Sequence, residues 1–399
     1  MFFFKVNMTA QTFDVAIVGA GLVGSSLALA LRDSGLSVAL VEARAPQALP
    51  EDASWDNRIY AISSGSAQFL EQLGIWQALD AQRMTRVEAM AIFGDDGQSR
   101  LDFNAYEAGL GQLAYILENR LLQAALWRAL EAAPQVHLFC PASCAALAIA
   151  TDAARLSLDD GTEIPAKLIV AADGAHSWVR QQAGIKAHDK DYRQLGVVAN
   201  FATALPHQGT AFQWFQPEGV LAYLPLPGNR ISIVWSLQED LAQGLLQLAP
   251  DALCARVAEA GKQRLGALEL LTPAAAFPLH LIEPDVLTQP RIALVGDAAH
   301  QVHPLAGQGV NLGFADAKAL AGVLAARGPR DCGDGYLLRR FARARREEIL
   351  AMQLVTDGLQ NLFNQPRPML GWVRNVGLAA TNRLTWIKQQ LLKQALGNT

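Results

Sequence analysis

Three glycines, Gly19, Gly21 and Gly24, have the spacing that lets a backbone approach a diphosphate closely. They follow a β-branched run at residues 14–18 and precede an alanine-rich helix predicted over residues 25–33. The first glycine permits a tight turn, the second makes room for phosphate oxygens, and the third lets the helix pack on the strand. Unpaired amides at the helix start attract negative charge. The pattern predicts a dinucleotide site.

An acidic residue, Glu42, ends the next predicted strand, at residues 37–42. A carboxylate in this position accepts hydrogen bonds from the hydroxyls of an adenosine ribose. A glycine-rich turn also arises by chance, but a strand, a helix and a terminal acid around it favour dinucleotide binding. These features do not distinguish FAD from NAD.

A second glycine-bearing segment, residues 291–313 (RIALVGDAAHQVHPLAGQGVNLG), lies late in the chain. Its predicted strand ends at Asp297, whose carboxylate is placed to bind a hydroxyl of a ribityl chain or, alternatively, to cap the following helix. Pro304 fixes the chain, and Gly307 and Gly309 bring bare backbone close to a flat ligand.

The helix predicted after these glycines, over residues 310–320, begins with Val310 and Asn311. Its first amides are placed to stabilise negative charge on a reduced flavin ring. Because the segment supplies a second site for one extended cofactor, it favours FAD over NAD.

A third motif, residues 171–180 (AADGAHSWVR), contains Asp173 and Gly174. In their types and order along nearly the whole chain, the three motifs resemble those of FAD-dependent aromatic hydroxylases of the para-hydroxybenzoate hydroxylase type. The resemblance implies that Asp173 and Gly174 serve the FAD pyrophosphate and the passing nicotinamide. The alternative interpretation makes Asp173 a simple turn residue.

Within that family, two shorter elements resemble those of the ubiquinone-biosynthesis hydroxylases: residues 56–63 (DNRIYAIS) and 115–122 (YILENRLL). Residues 372–397 resemble the enzymes of this group that hydroxylate demethoxyubiquinol. The resemblance implies that Arg58 and Arg120 contact the flavin, with Arg58 the one candidate for a catalytic role. Alternatively, Arg58 is an ordinary surface arginine.

The resemblance also implies the chemistry. FAD reduced by NADPH or NADH would add dioxygen, and the resulting hydroperoxide would hydroxylate the ring of a polyprenyl phenol or benzoquinol in ubiquinone biosynthesis. The late demethoxyubiquinol step is the preferred interpretation. Alternatives are another ring position, another aromatic substrate, or an FAD-dependent reductase or dehydrogenase of the same fold. An NAD-dependent dehydrogenase and a non-catalytic, flavin-retaining scaffold also stay open.

The elements that must position these residues predict an α/β fold. It is a discontinuous Rossmann-like FAD-binding domain with an inserted antiparallel-sheet substrate domain and C-terminal helices. A hairpin predicted at residues 87–103 and strands within residues 196–236 mark the insertion. The predicted ranges are 9–80, 107–185 and 286–345 for the FAD-binding domain, 81–106 and 186–285 for the substrate domain, and 346–399 for the C-terminal helical segment.

Two features of the sequence concern the substrate and partners. Four aromatic residues on the predicted inserted strands either line an apolar cleft or form plain core: Phe212, Trp214, Tyr223 and Trp235. Near the C-terminus, Leu384, Ile387, Leu391 and Leu392 share one side of a basic amphipathic helix with Lys388 and Lys393 nearby. That helix could bind an anionic membrane, a partner in a ubiquinone-biosynthesis complex, or its own core.

Composition excludes other classes of function. A net charge of −4 and a pI near 6.0 argue against a nucleic-acid partner. Four cysteines without zinc-site spacing are expected to be reduced thiols of a cytoplasmic protein, peripheral at the inner face of the membrane if it contacts one. No metal site is expected, and His300 and His303 are interpreted as ordinary loop histidines.

Overall fold

The computed structural model describes residues 12–96, 99–301 and 309–364, with side chains up to residue 350. Within these residues, the strands are β1 (Phe13–Val18), β2 (Val38–Val41), β3 (Ile59–Ser63), β4 (Thr85–Val87), β5 (Ala89–Phe93), β6 (Arg100–Asn104), β7 (Ala114–Glu118), β8 (Val136–Phe139), β9 (Cys144–Ile149), β10 (Ala154–Leu158), β11 (Glu163–Ala171), β12 (Ala187–Thr203), β13 (Thr210–Gln216), β14 (Gly219–Leu226), β15 (Arg230–Gln238), β16 (Leu268–Leu270), β17 (Ala275–Pro284), β18 (Thr288–Gln289) and β19 (Ile292–Leu294).

The α-helices of the same residues are α1 (Leu22–Leu31), α2 (Ser64–Gln72), α3 (Asn119–Glu131), α4 (Trp178–Gln182), α5 (Glu239–Leu246), α6 (Pro250–Ala260), α7 (Gly309–Ala325) and α8 (Gly335–Asn364). None of these helices is long and apolar enough to cross a bilayer.

The first sheet has the strand order β18-β19-β11-β1-β2-β8, with the β9–β10 hairpin attached to β11. Its five strands from β19 to β8 run parallel to one another, whereas β18 and β10 pair antiparallel with β19 and β11. Helices α1, α3, α7 and α8 bury one face, and α4 with the hairpin covers the other. Apolar strands buried on both faces, such as β1, are typical of such a sheet.

The second sheet has the order β16-β12-β15-β14-β13-β5-β6, with β17 also paired to β12. It joins the predicted hairpin at residues 87–103 to the later strands through the pair β5–β13, which is parallel. The sheet is therefore mixed, although the sequence predicted an antiparallel one. Helices α5 and α6 cover one of its faces.

A small third sheet, β3-β7-β4, lies between the two larger ones. Its residues Ile59, Ala61 and Ile116 pack against the face of the second sheet opposite α5 and α6. Tyr60 and Leu117 of the same strands face the core of the first. The alternation along β3 thus links the two large sheets.

The predicted α/β class, with an inserted second sheet, is confirmed, whereas the domain boundaries stay predictions. Strand β12 begins at Ala187, well before the predicted start at Gly196. Its first half reads AHDKDYRQ, a polar segment without the apolar alternation that marks a strand. Helix α8 begins at Gly335, whereas residues 365–399, with the amphipathic tail, lie outside the described residues.

Candidate active site

The first glycine turn packs against the loop that contains Asp173. Gly19 has φ +101°, and a Cβ there would lie 2.4 Å from the carbonyl oxygen of Ala172. A Cβ on Gly24 would lie 1.9 Å from the carbonyl oxygen of Gly19. Both positions therefore require glycine for the fold itself, one for the turn and one for the close approach of α1.

Gly21 behaves differently. A Cβ on this residue would meet no atom of the described residues within 4 Å, so none of those residues requires a glycine there. The residue precedes α1, whose first turn has no side-chain cap. Uncapped amides beside open space are what an anionic group needs. The geometry fits a diphosphate over Gly21.

Glu42 lies beside this turn. One of its carboxylate oxygens accepts a 2.7 Å hydrogen bond from the backbone N–H of Ala20, and the other accepts one from Arg44 N–H at 3.1 Å. A cavity of about 240 Å³ opens nearby, with Ala43 and residues 141–143 and 158–160 in its lining. The arrangement fits an adenosine ribose on Glu42.

The loop with Asp173 and Gly174 is held by its own side chains. The Asp173 carboxylate accepts hydrogen bonds from the Ser177 hydroxyl at 2.5 Å and from Val179 N–H at 3.0 Å. This is the bonding of a turn residue, the alternative interpretation of Asp173. Gly174 has φ +86° and open space where a Cβ would be, so its backbone is accessible to a ligand.

The late segment reaches the same place. Val23, in the first turn of α1, is inserted between Gly296 and Gly313. A Cβ on Gly313 would lie 2.5 Å from Val23 Cγ2, and one on Gly296 would lie 3.1 Å from the same atom. The glycine turn thus contacts the Ala172 carbonyl, and the first turn of α1 contacts the segment around Asp297, so all three predicted motifs converge there.

Asp297 is exposed, in the short turn Gly296–Ala298 that follows β19. Desolvation by neighbouring atoms raises the pKa of Asp297, and His300 and Arg58 oppose that shift. Both side chains thus lie close enough to this carboxylate to interact with its charge. The Arg58 guanidinium also lies over the Tyr60 ring, with its central carbon 5.7 Å from the ring centre. Burial raises the pKa of the Tyr60 hydroxyl.

Arg120 is engaged elsewhere. Its guanidinium donates to the buried Glu118 carboxylate at 2.9 Å and to both the hydroxyl and the carbonyl of Ser54. Arg83 binds the other Glu118 oxygen at 2.6 Å. These arginines hold the loop that leads to Arg58. The structure therefore gives Arg120 a supporting position, and its predicted flavin contact stays a prediction.

At the start of α7, the Asn311 amide bridges to β3. Its oxygen accepts from Ser63 N–H at 2.9 Å, and its nitrogen donates to the Ala61 carbonyl at 2.8 Å. Val310 packs against the core of the first sheet, whereas Gly309 has open space around its Cβ position. Pro304 and Gly307, also predicted to bind the cofactor, lie outside the described residues.

His300 was misinterpreted from the sequence. It is 1% exposed, and its Nε2 lies 2.6 Å from the carboxylate of Asp316, itself 1% exposed. The interpretation as an ordinary loop histidine is therefore wrong. The sequence around Asp316 could have indicated this pair, because an acidic residue on the buried side of the apolar helix GVNLGFADAKALAGVLA needs a buried partner for its charge. His303 lies outside the described residues. No group of three potential metal ligands occurs in the described part of the chain.

The four aromatic candidates lie on the face of the second sheet that α5 and α6 cover, so they belong to its core: Phe212, Trp214, Tyr223 and Trp235. The other face turns towards β3 and the loop that contains Arg58. There Val198, Val234 and Ala222 are neighbours on three adjacent strands, and all are half-buried. Asn200, on the same face, donates a 2.9 Å hydrogen bond to the carbonyl of Asp56 in the Arg58 loop.

Comparison with known proteins identifies the family. A family described as the FAD binding domain matches residues 12–354. The chain belongs to this family. It is an FAD-dependent monooxygenase of the aromatic hydroxylase class, in which NAD(P)H and dioxygen are the usual co-substrates. The predictions of FAD and of the enzyme class are confirmed.

Two relatives match almost end to end. The 3-demethoxyubiquinol 3-hydroxylase of Escherichia coli is 40% identical over 392 residues, which cover 98% of this chain and 100% of that protein. The ubiquinone hydroxylase UbiL of Rhodospirillum rubrum is 36% identical over 387 residues, covering 96% and 89%. The predicted resemblance to ubiquinone hydroxylases is confirmed.

Among solved structures, PqsL, a probable FAD-dependent monooxygenase from Pseudomonas aeruginosa, has the same fold. Its TM-score is 0.77 at 21% identity, with 93% of this chain and 100% of that chain covered. At this identity the likeness supports the two-domain fold alone.

Proposed function

We propose that this protein hydroxylates the ring of a polyprenyl phenol or benzoquinol in ubiquinone biosynthesis, at the late demethoxyubiquinol step. The observation that carries the proposal is the convergence of three FAD motifs beside a half-buried apolar sheet face. The end-to-end similarity to a 3-demethoxyubiquinol 3-hydroxylase supports the choice of step.

Bound FAD would supply the redox chemistry, with NAD(P)H as the two-electron reductant and dioxygen as the source of one oxygen atom for the ring and one for water. The chain's own residues bind and orient. Backbone at Gly21 and the start of α1 would hold the diphosphate, Glu42 the ribose, and Asp297 a ribityl hydroxyl. Arg58 would place positive charge beside Asp297 and the flavin.

The ring substrate needs an apolar wall that also excludes water. Such a wall is present on the face of the second sheet opposite α5 and α6, where it consists of Val198, Val234 and Ala222. A hydrogen bond from Asn200 fixes the Arg58 loop to this same face. We assign the ring pocket to the space between that loop and the three apolar residues.

A polyprenyl substrate resides in a membrane, and α8 offers a surface to approach one. Arg339, Arg340, Arg343 and Arg346 are all exposed on this helix. A cluster of basic side chains attracts anionic lipid headgroups. We propose peripheral contact at the inner face of the cytoplasmic membrane through α8 and the segment that follows it; the same surface would serve a partner in a biosynthetic complex.

The reaction is tested with purified yellow holoenzyme, NAD(P)H, a short-tailed demethoxyubiquinol and ¹⁸O₂. The proposal expects one labelled oxygen in the ring product, measured by mass spectrometry. A reductase or dehydrogenase would leave the product unlabelled, and that result would refute the proposal. Lipid extracts from a deletion strain test the ring position, because the accumulated precursor should lack only this hydroxyl.

A further inference from the structure

A buried ionic cluster lies directly behind the Asp297 turn. Asp316 of α7 is bonded on one oxygen to His300 Nε2 at 2.6 Å, and on the other to Arg345 Nε of α8 at 2.7 Å. The three side chains are 3% exposed or less. Burial disfavours the Asp316 charge, but His300 and Arg345 outweigh it and hold the pKa of Asp316 below its usual value.

The cluster grips the turn on both sides of Asp297. The oxygen of Asp316 that binds His300 also accepts a 2.9 Å hydrogen bond from Gly296 N–H. One carboxylate thus holds the residue before Asp297 and the side chain three residues after it. Arg180 holds the turn from another direction, because it donates to the Ala298 carbonyl at 2.9 Å.

Stability alone does not explain His300 in this place. Its second ring nitrogen, Nδ1, is buried without a hydrogen-bond partner in the part of the chain that the structure describes. An unpaired buried nitrogen costs free energy, and an apolar side chain of similar size often stabilises a core as well as a buried ion pair does. A cluster kept at such a cost beside a binding site points to a role at that site.

We propose that His300, anchored by Asp316 and Arg345, is a positioning residue that sets the Asp297 carboxylate in the orientation that binds the ribityl chain of FAD. The inference rests on the proposed contact between Asp297 and FAD. His300 itself touches no part of the cofactor in this account. Any effect of His300 on FAD affinity is therefore expected to depend on Asp297. This dependence can be measured as the coupling free energy between the two residues.

The test is a double-mutant cycle on FAD affinity, measured by fluorescence titration of the apoprotein. We expect His300→Leu to raise the Kd for FAD about tenfold in the wild-type background and less than about twofold in an Asp297→Ala background. A merely structural role would give the same factor in both backgrounds, which would overturn the inference. If Asp297→Ala alone leaves the Kd unchanged, the site assignment fails as well.

A second pair of variants decides the matter should His300→Leu not fold. His300→Gln carries an amide nitrogen long enough to reach Asp316, whereas His300→Asn is too short. We expect the Gln variant to bind FAD within about twofold of wild type and the Asn variant to bind about tenfold more weakly. Equal affinities for the two would contradict the proposal.

A matched control removes an ion pair that lies outside the His300 cluster. Asp331 binds Arg291 at 2.6 Å, at the end of β19 remote from Asp297. Asp331→Asn should leave the Kd for FAD unchanged. Weaker FAD binding in this control would show that any lost ion pair near β19 has the same effect, and would overturn a specific role for His300.

Discussion

Gly21 differs from Gly19 and Gly24 in the surroundings that an added side chain would meet. At Gly19 and Gly24 an added Cβ would overlap the protein's own backbone, whereas at Gly21 it would enter open space. All three glycines could be predicted from the sequence as one motif. Which of them serves the fold and which serves the ligand could not, because that depends on the packing of α1 against distant residues.

Gly21→Val and Gly24→Ala should therefore separate binding from folding. We expect Gly21→Val to lose bound flavin on dialysis while the apoprotein's free energy of unfolding falls by less than about 1 kcal/mol. Gly24→Ala should instead destabilise the apoprotein by about 1 to 3 kcal/mol, because the new methyl group overlaps the Gly19 carbonyl. Flavin absorbance and denaturant unfolding measure the two effects. Normal flavin content in Gly21→Val would contradict the proposed diphosphate site.

Asp297 is the corresponding residue at the other end of the cofactor. We expect Asp297→Ala to weaken FAD binding by about 1.5 to 3 kcal/mol, the value of a lost hydrogen bond to a charged group. Asp297→Asn, which keeps an acceptor oxygen, should lose less. Fluorescence titration of the apoproteins measures both constants, and an unchanged affinity in the Ala variant would remove Asp297 from the site.

At the scale of elements, the alternation of side chains along the strands could be predicted from the sequence. Which face of the second sheet the helices cover could not be predicted. The aromatic residues of β13, β14 and β15 stand out in the sequence as candidates for a pocket, yet α5 and α6 cover the face on which they lie. A period of two assigns residues to two faces without saying which face a helix will cover. The same limit explains the missed parallel pair β5–β13, which depends on contacts distant in sequence.

The assignment of the ring pocket can be tested on β14. Ala222→Leu places a larger side chain on the face of the second sheet opposite α5 and α6, to which we assign the ring pocket. We therefore expect kcat/KM for the ring substrate to fall roughly tenfold, with FAD content unchanged. Ala146→Leu, on the exposed strand β9, is the matched control and should leave both quantities as they are. Equal kcat/KM values for the two variants would contradict the assignment of the ring pocket to this face.

At the scale of the whole molecule, α8 is the element that we expect to meet a membrane. Each basic residue near an anionic surface contributes about 1 kcal/mol, so Arg339→Gln with Arg343→Gln should weaken binding to anionic vesicles roughly 30-fold. Cosedimentation with phosphatidylglycerol vesicles measures the loss. Lys186→Gln with Lys262→Gln, at exposed positions outside α8, is the control. Equal losses in the two double variants would argue against α8 as the contact.

The order of motifs along the chain could be read from the sequence, and with it the prediction that distant turns share one ligand. Their meeting point could not, because it is made by Val23 between Gly296 and Gly313, three residues with no obvious chemistry. The same holds for His300 and Asp316, which become partners only when α7 packs beside the turn after β19. Tertiary packing, rather than local propensity, decides both contacts.

A crystal structure of the protein with FAD tests the central claim most directly. We expect one FAD molecule, with its diphosphate over Gly21, its adenosine ribose on Glu42 and a ribityl hydroxyl within hydrogen-bonding distance of Asp297. A cofactor that reaches the first turn but makes no contact with Asp297 would contradict the account.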